Sequence, residues 1–342
     1  MSRKPVSCAA MNRAHSLSTA VVIGGGVIGL FTAWRLSDAG FKVTLIERGK
    51  MAAAATGAAS WAAGGMLSPL PPDRIPEGIQ SLLAESLALY PAWCAQLRQE
   101  SGVDPEYWVC GAEYWKRDGQ CLSYPEMAQV RSPRLLKALV IALRRRGVEM
   151  LENAQALGFI EADAKLRAIR TDRGDLNCTA AVLAAGAWSA ALGADGIRPV
   201  KGQMLLARAA PGRLPCMLIG EEVYLIPRQD GHILVGSTLE HAGFDHTATA
   251  HAHTLLLARA EALWPAITSL PITRQWAGLR PHGNTPAPTI GPHPQVAGVW
   301  LATGHFRLGM TLAPATAERV VRQVESGACL IAAEPEPVPK MR

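Results

Sequence analysis

Residues 19–49, TAVVIGGGVIGLFTAWRLSDAGFKVTLIERG, constrain the fold more than any other part of the chain. Thr19 to Ile23 is a short β-branched run suited to a buried parallel strand. Gly24, Gly26 and Gly29 follow in the spacing GxGxxG, and Ile28, Leu30, Ala33 and Leu36 continue at roughly helical spacing to Ala39-Gly40. A second strand is predicted over Lys42 to Ile46, ending on Glu47. Each part has a mechanical reason. Gly24 makes the tight turn, Gly26 lets backbone approach a pyrophosphate, and Gly29 lets the helix lie close on the strand. The helix N-terminus offers unpaired N–H groups and a positive dipole end to phosphate. Glu47, 23 positions after Gly24, can accept from ribose hydroxyls and disfavours a 2′-phosphate. The glycines alone could be a structural turn; the whole order of parts predicts an adenine dinucleotide site. It does not choose between NAD and FAD.

The next stretch bears on that choice. GAASWAAGGMLSPL, residues 57–70, is small, glycine-rich and apolar, as expected where backbone passes close to a flat ring system, although a plain flexible loop has the same composition. Amphipathic helices are predicted over Ile79 to Gln99 and over 130–152, the latter with Pro133 in its first turn and Leu135, Leu136, Leu139, Ile141 and Leu143 apolar. AAVLAAGAWSAAL, residues 180–192, delivers a strand into Ala185 and Gly186, a way to press backbone against a second side of a dinucleotide or simply a tight turn. Beyond it the periodicity changes. VYLIPRQDGHILVGSTL, residues 223–239, reads as a hairpin around Asp230-Gly231, and ITRQWAGLRP, residues 272–281, as a strand stopped by Pro281.

The chain closes with a strand over Val299 to Thr303, a loop over Gly304 to Gly309, and a helix from about Met310 to Ser326 ended by Gly327, with a proline in its first turn. This brings a helix N-terminus and Arg307 to one place. A flavin has use for both, because reduction collects negative charge around its N1 and C2 carbonyl; a favourable helix end is worth on the order of 1 kcal/mol.

At 342 residues the chain exceeds one typical core. The fold class predicted is α/β, mixed α+β in detail. A discontinuous Rossmann-like FAD-binding domain comprises 19–75, 125–195 and 285–330, and an inserted antiparallel-sheet substrate or cap domain comprises 76–124 and 196–284. Residues 1–18 are expected to be a disordered tail, with Met11 an alternative start, and 331–342 a second tail. The formal charge of +6, 34 Lys and Arg against 28 Asp and Glu, is spread along the chain. Short runs such as Arg144-Arg145-Arg146 read as a solvated helix face, so no nucleic-acid partner is expected. The seven cysteines form no CxxC pair, which suits a reducing, cytoplasmic compartment. The first 19 residues hold no apolar core of a signal peptide. Ala20 to Trp34 is too short and glycine-rich to span a bilayer, so no stable membrane insertion is expected. His241, His246, His251 and His253 lack acidic or cysteine partners at regular spacing, and no metal is expected. Composition leaves a homo-oligomer open.

VVIGGGVIG with LIERG, SWAAGGMLSP, VLAAGAWS, PVKGQML, YLIPRQDGHILVGST, WAGLRP and GHFRLGMTLAPATA run in order from about residue 19 to 327. Together they resemble the D-amino-acid oxidase family of flavoproteins, and within it the glycine oxidases; WAGLRP with GHFR is the most specific part. The resemblance implies noncovalent FAD and a substrate-domain sheet covering the flavin. It implies that Val27, Ile28, Glu47 and Arg48 hold the ADP half beside the motif glycines. Ala59, Ser60, Gly64, Gly65 and Met66 lie along the pyrophosphate and flavin, and Ala156 touches the cofactor through backbone. His305, Phe306, Arg307, Leu308, Gly309, Met310 and Thr311, entered through Gly304, line the pyrimidine side. Arg280 grips the substrate carboxylate, helped by Tyr224 and Arg307, with Leu239 and His305 bordering the substrate.

The chemistry so implied is oxidative deamination of glycine or another small amino acid or amine to the imine, then oxo acid and ammonia, with O2 reduced to H2O2, in thiamine (thiazole) biosynthesis. A bidentate arginine suits a carboxylate as lysine cannot, and with the substrate oriented no side-chain base is required. Without the resemblance, Arg280 is a strand-end arginine, Tyr224 equally a core residue, and His305 structural. The alternatives are a related D-amino-acid oxidase or dehydrogenase, a sarcosine-type amine oxidase, a non-catalytic FAD-binding subunit and, more distantly, a nicotinamide-dependent dehydrogenase. Residues 116–129, KRDGQCLSYPEMAQ, are shorter than expected for the family, and Leu308 stands where relatives often carry a polar residue.

Overall fold

The protein is seen as a computed structural model in which residues 18–54 and 57–332 are described. Residues 1–17, with Met11, and 333–342 lie outside them, and with them nearly all of both expected tails.

The centre is a six-stranded sheet in the order Thr289–Pro292, Val299–Thr303, Ala180–Leu183, Thr19–Ile23, Lys42–Glu47, Glu149–Glu152. All neighbours are parallel except the first pair. Successive side chains of a strand face opposite ways, and here each set finds a different cover. Ala20, Val22, Val43, Leu45, Ala180 and Val182 share a core with the helices. Val21, Ile23, Ile46, Ala181 and Leu183 pack instead against the three-stranded antiparallel sheet within 156–177. Burial on both faces explains why these strands read as continuous apolar runs.

A second sheet of seven strands runs Ile272–His282, Arg198–Arg208, His232–Gly236, Tyr224–Pro227, Met217–Ile219, Ala112–Trp115, Cys121–Tyr124. The predicted hairpin is its middle, turning at Gly231 with φ +88°. Helix Ala250–Leu263 covers one face through Leu256 and Ala260. The short 116–129 segment closes Ala112–Trp115 and Cys121–Tyr124 into a tight edge hairpin, with Lys116 N donating to Gln120 O.

Five expectations are corrected, the last of them at Pro314. The helix expected over 130–152 ends at Arg145; Gly147, at φ +74°, turns the chain into strand Glu149–Glu152 beside Lys42–Glu47. Helix Gln80–Ser101, which lies in the inserted stretch of sequence, buries Tyr90, Trp93 and Leu97 in the core of the parallel sheet. Pro281 does not stop its strand, which continues to His282 with Pro281 opposite Pro199. Gly327 does not end the final helix, Gly309–Ala332. A Cβ there would stand 2.5 Å from Trp300 Cζ2, so the glycine makes room for an indole.

Pro314 lies in the second turn of that helix rather than its first. Having no N–H, it leaves the Met310 carbonyl without its helical donor, and the buried Tyr90 hydroxyl donates to that carbonyl instead. Burial raises the Tyr90 pKa well above its ordinary value, so the donor proton stays.

Candidate cofactor and substrate site

One long cavity begins at the C-terminal ends of the parallel strands, beside Gly24, Gly26, Glu47 and Arg48. It ends under the seven-stranded sheet beside Gly202, Tyr224, Ser237 and Arg280. At the first end each glycine has a measurable reason. Gly24 has φ +115°, and a Cβ on it would stand 2.4 Å from Ala184 O; a Cβ on Gly29 would stand 1.9 Å from Gly24 O. Gly26 caps helix Val27–Asp38 without a side chain, and Val27 N donates to Ser60 Oγ at 2.9 Å. Glu47 accepts from Gly25 N at 2.8 Å and Gly49 N at 3.0 Å. A carboxylate has about four acceptor sites, so others remain for a ribose diol. The Arg48 guanidinium lies 3.4 Å from the Trp188 ring centroid, and Trp188 stacks on Phe244 at 5.6 Å. Burial lowers the Arg48 pKa and Glu47 opposes that shift.

The middle of the wall is the short helix Ala59–Ala62, wedged between the sheets. Gly278 admits it, since a Cβ there would stand 2.6 Å from Ala62 Cβ. The next three carbonyls are all engaged: Ala63 by Ser132 Oγ at 2.9 Å, Gly64 by Arg228 Nη2 at 2.7 Å, Gly65 by Val130 N at 2.9 Å. Small residues here reflect close packing of backbone on both sides, which is the composition that a flat ring site requires.

At the far end Arg280 donates to Ser237 Oγ at 2.7 Å and to the carbonyls of Thr238 at 3.1 Å and Lys201 at 3.4 Å. These bonds use at most three of its five N–H groups, and the Tyr224 hydroxyl is a further partner. Gly202 clears the space: a Cβ on it would stand 2.1 Å from Arg280 Nη2. Burial lowers the Arg280 pKa, Tyr224 opposes that and Arg307 adds to it. The Tyr224 hydroxyl lies 3.4 Å from Met204 Sδ. Arg307 is exposed and lines both this cavity and an adjoining one.

The final helix presents Gly309 and Met310 to the cavity. His305, just before it, is 2% exposed, with Nε2 2.9 Å from Thr316 Oγ1. Burial pushes its pKa down to about 3, so the imidazole is neutral and cannot act as a cation toward a ligand. An unfolded histidine titrates near 6.5. Between about pH 3 and 6.5 the unfolded chain therefore holds a proton that the folded chain does not, and stability falls as pH is lowered through that window, by about 1.4 kcal/mol per pH unit. His305→Gln is expected to flatten this dependence in urea melts across pH 4–7; an unaltered slope would show that His305 is not the group responsible.

The structure brings many of the residues singled out above to one wall: Gly24, Gly26, Val27, Ile28, Glu47, Arg48, Ala59, Ser60, Gly64, Ala156, Ala185, Gly186, Tyr224, Arg280, His305, Phe306, Arg307, Gly309 and Met310. Others sit behind it. Gly29 serves helix packing, Gly65 abuts Val130 O, and Gly304 lies against Ile197. Met66 is in a core with Tyr114 and Met217, Leu308 in one with Ile79 and Leu312, and Thr311 donates to Met66 O at 3.3 Å. Leu239 borders the adjoining cavity and is 46% exposed. Trp188, Gly202, Met204 and Ser237 line the main cavity without having been singled out. In the sequence they are marked only by their place within VLAAGAWS, PVKGQML and YLIPRQDGHILVGST. Among the described residues no three His, Cys, Asp or Glu cluster as a metal site, and no helix is long and apolar enough to cross a membrane.

The family described as FAD dependent oxidoreductase (DAO) matches residues 19–120 and 96–323. A glycine oxidase of Pseudomonas aeruginosa is 38% identical over 348 aligned residues, covering 90% of this chain and 94% of that protein. A bifunctional protein ThiO/ThiG of Trichormus variabilis is 33% identical, covering 87% of this chain and 51% of its own length. Among solved structures, the glycine oxidase from Geobacillus kaustophilus superposes with a TM-score of 0.84 at 26% identity, covering 90% of this chain and 95% of that one.

Proposed function

Given that the chain belongs to the FAD dependent oxidoreductases, we propose that it oxidises glycine or a similarly small amino acid to the imine. The observation that carries this is the half-buried Arg280 guanidinium at the opposite end of the cavity from the dinucleotide motif, held in place by Ser237 and the Thr238 carbonyl. The residues present fit FAD: a glycine cradle that Cβ atoms would fill, a helix N-terminus, and an acid with acceptor sites to spare.

Glu47 would hold the ribose of the ADP half, Gly26 and the N-terminus of helix Val27–Asp38 the pyrophosphate, and Gly309 with Met310 the pyrimidine side of the ring. FAD, when bound, would accept hydride from the carbon next to the amine nitrogen and pass the two electrons to dioxygen, giving hydrogen peroxide. Arg280 binds the substrate carboxylate by parallel charge-assisted bonds and so orients the α-carbon. Tyr224 contributes a hydroxyl, and Arg307 a second cation at the mouth. Orientation accounts for most of the rate gained. Met204 and Tyr224 line the cavity with Arg280, and Gly236 lets both pack over its strand, since a Cβ there would meet Met204 Sδ at 2.2 Å and Tyr224 Cε2 at 2.9 Å. The likeness to glycine oxidases and to ThiO/ThiG proteins supports a place in thiamine biosynthesis.

The test is an anaerobic visible spectrum of the FAD-loaded protein before and after glycine. Bleaching of the yellow colour, followed by peroxide when air is admitted, is expected. A spectrum unmoved by glycine but bleached by D-alanine or D-proline would shift the substrate assignment, and one unmoved by every small amine would end the oxidase reading.

A further inference from the structure

Behind the wall at Gly64 lies a charge that the chemistry above does not use. Arg228, at the turn of the central hairpin, is 5% exposed, and all its side-chain partners are neutral. Nη1 donates to Gln129 Oε1 and to Val130 O at 3.1 Å, Nη2 donates to Gly64 O at 2.7 Å, and Nε has no partner. Glu106 and Asp230 are the acids that oppose its loss of charge, but both are taken by Arg131, at 3.2 and 2.7 Å. Burial foremost, then Arg131, push the guanidinium down to about 10, so it remains a cation at neutral pH.

A buried charge without a counter-ion is unfavourable, and residues kept at such cost invite a functional reason. The bonds of Arg228 lead directly to the cavity wall. Gly64 lines the cavity, and its carbonyl is one of three successive carbonyls drawn back from it. Oxidised flavin is neutral; two-electron reduction leaves negative charge on the ring. A fixed positive charge in a low-dielectric wall acts on that difference more strongly than a solvated one.

We propose that Arg228 is a positioning residue for the flavin: its fork fixes the backbone at Gly64, and its unneutralised charge favours the reduced, negatively charged ring over the oxidised one. The inference rests on the FAD reading but not on the identity of the amine.

Its test is the midpoint potential of bound FAD, read spectroscopically against reference dyes with no amine present. Arg228→Met is expected to lower the reduced-to-oxidised ratio at fixed potential about tenfold, a fall of about 30 mV for two electrons. Gln129→Glu leaves the guanidinium in place but sets a carboxylate against it, and should lower the potential in the same direction even where Arg228→Met fails to fold. Arg228→Lys should keep the potential near that of the unaltered protein while losing FAD on dilution more readily. Variants that fold and stay yellow with unmoved potentials would overturn the proposal, leaving Arg228 a structural clamp. Unaltered protein that takes up no FAD would sink the cofactor reading and this inference with it.

Discussion

Arg280→Ala is expected to lower kcat/KM for glycine about a hundred- to a thousand-fold while the purified protein remains yellow. Truncating one partner of a buried, hydrogen-bonded charge pair costs about 2–5 kcal/mol, and each 1.36 kcal/mol is about tenfold in rate. The flavin should stay because the cavity's dinucleotide end, at Gly24, Glu47 and Arg48, contains no atom of Arg280. Much of the loss should appear in KM, since the carboxylate is bound in ground and transition states alike, and the remainder in kcat through lost orientation. Arg280→Lys should recover little of it, because a lysine cannot reproduce the fork held by Ser237 Oγ and the Thr238 carbonyl. Steady-state kinetics with the visible spectrum as control decide the matter; unaltered kcat/KM removes Arg280 from the site.

The other large effect concerns the fold itself. In Gly29→Ala the added Cβ would stand 1.9 Å from the Gly24 carbonyl oxygen. Both atoms belong to backbone or are fixed by it, so no rotamer relieves the clash; helix Val27–Asp38 must lift off its strand. A loss of at least about 3 kcal/mol in urea unfolding is expected, at the severe end for single substitutions, with loss of flavin from whatever folds. Gly147→Ala is the control. Gly147 also has positive φ, +74°, but a Cβ there meets nothing within 4 Å, so only the left-handed strain of about 1–2 kcal/mol applies. Equal stabilities for the two variants would contradict the close approach.

These two sites also show what a sequence can and cannot disclose. Gly29 was legible because the βαβ unit is local: the consecutive residues 19–47 carry the strand, the glycines, the helix and the acid, and each was found where its pattern put it. The hairpin around Asp230-Gly231 was legible for the same reason. The failures lie where a residue answers to something distant. Gly327 resembles a helix stop until Trp300 is seen filling its missing side chain. Strand Glu149–Glu152 is four residues long and pairs on one side only, too short to show a period against the helix before it. Helix Gln80–Ser101 carries an apolar face whose owner no local pattern names. Within the site, Glu47 and Arg280 were legible from motif and resemblance. Gly202, Ser237 and Arg228 acquire meaning only through side chains or carbonyls 43 to 164 positions away.

The order of strands in the central sheet has a consequence for how the protein is made. Strand Thr19–Ile23 emerges first from the ribosome, yet one neighbour, Ala180–Leu183, follows some 160 positions later. The strand Val299–Thr303 that completes the sheet comes almost at the end. Contacts so distant along the chain close slowly, and the long stretch between leaves apolar β-surface unpaired during synthesis. The nascent chain therefore cannot consolidate its cofactor half in sequence order. The antiparallel layer can form while its neighbour is still waiting, and only the last helix, arriving through Gly304 to Gly309, converts a half-built scaffold into a competent receptor.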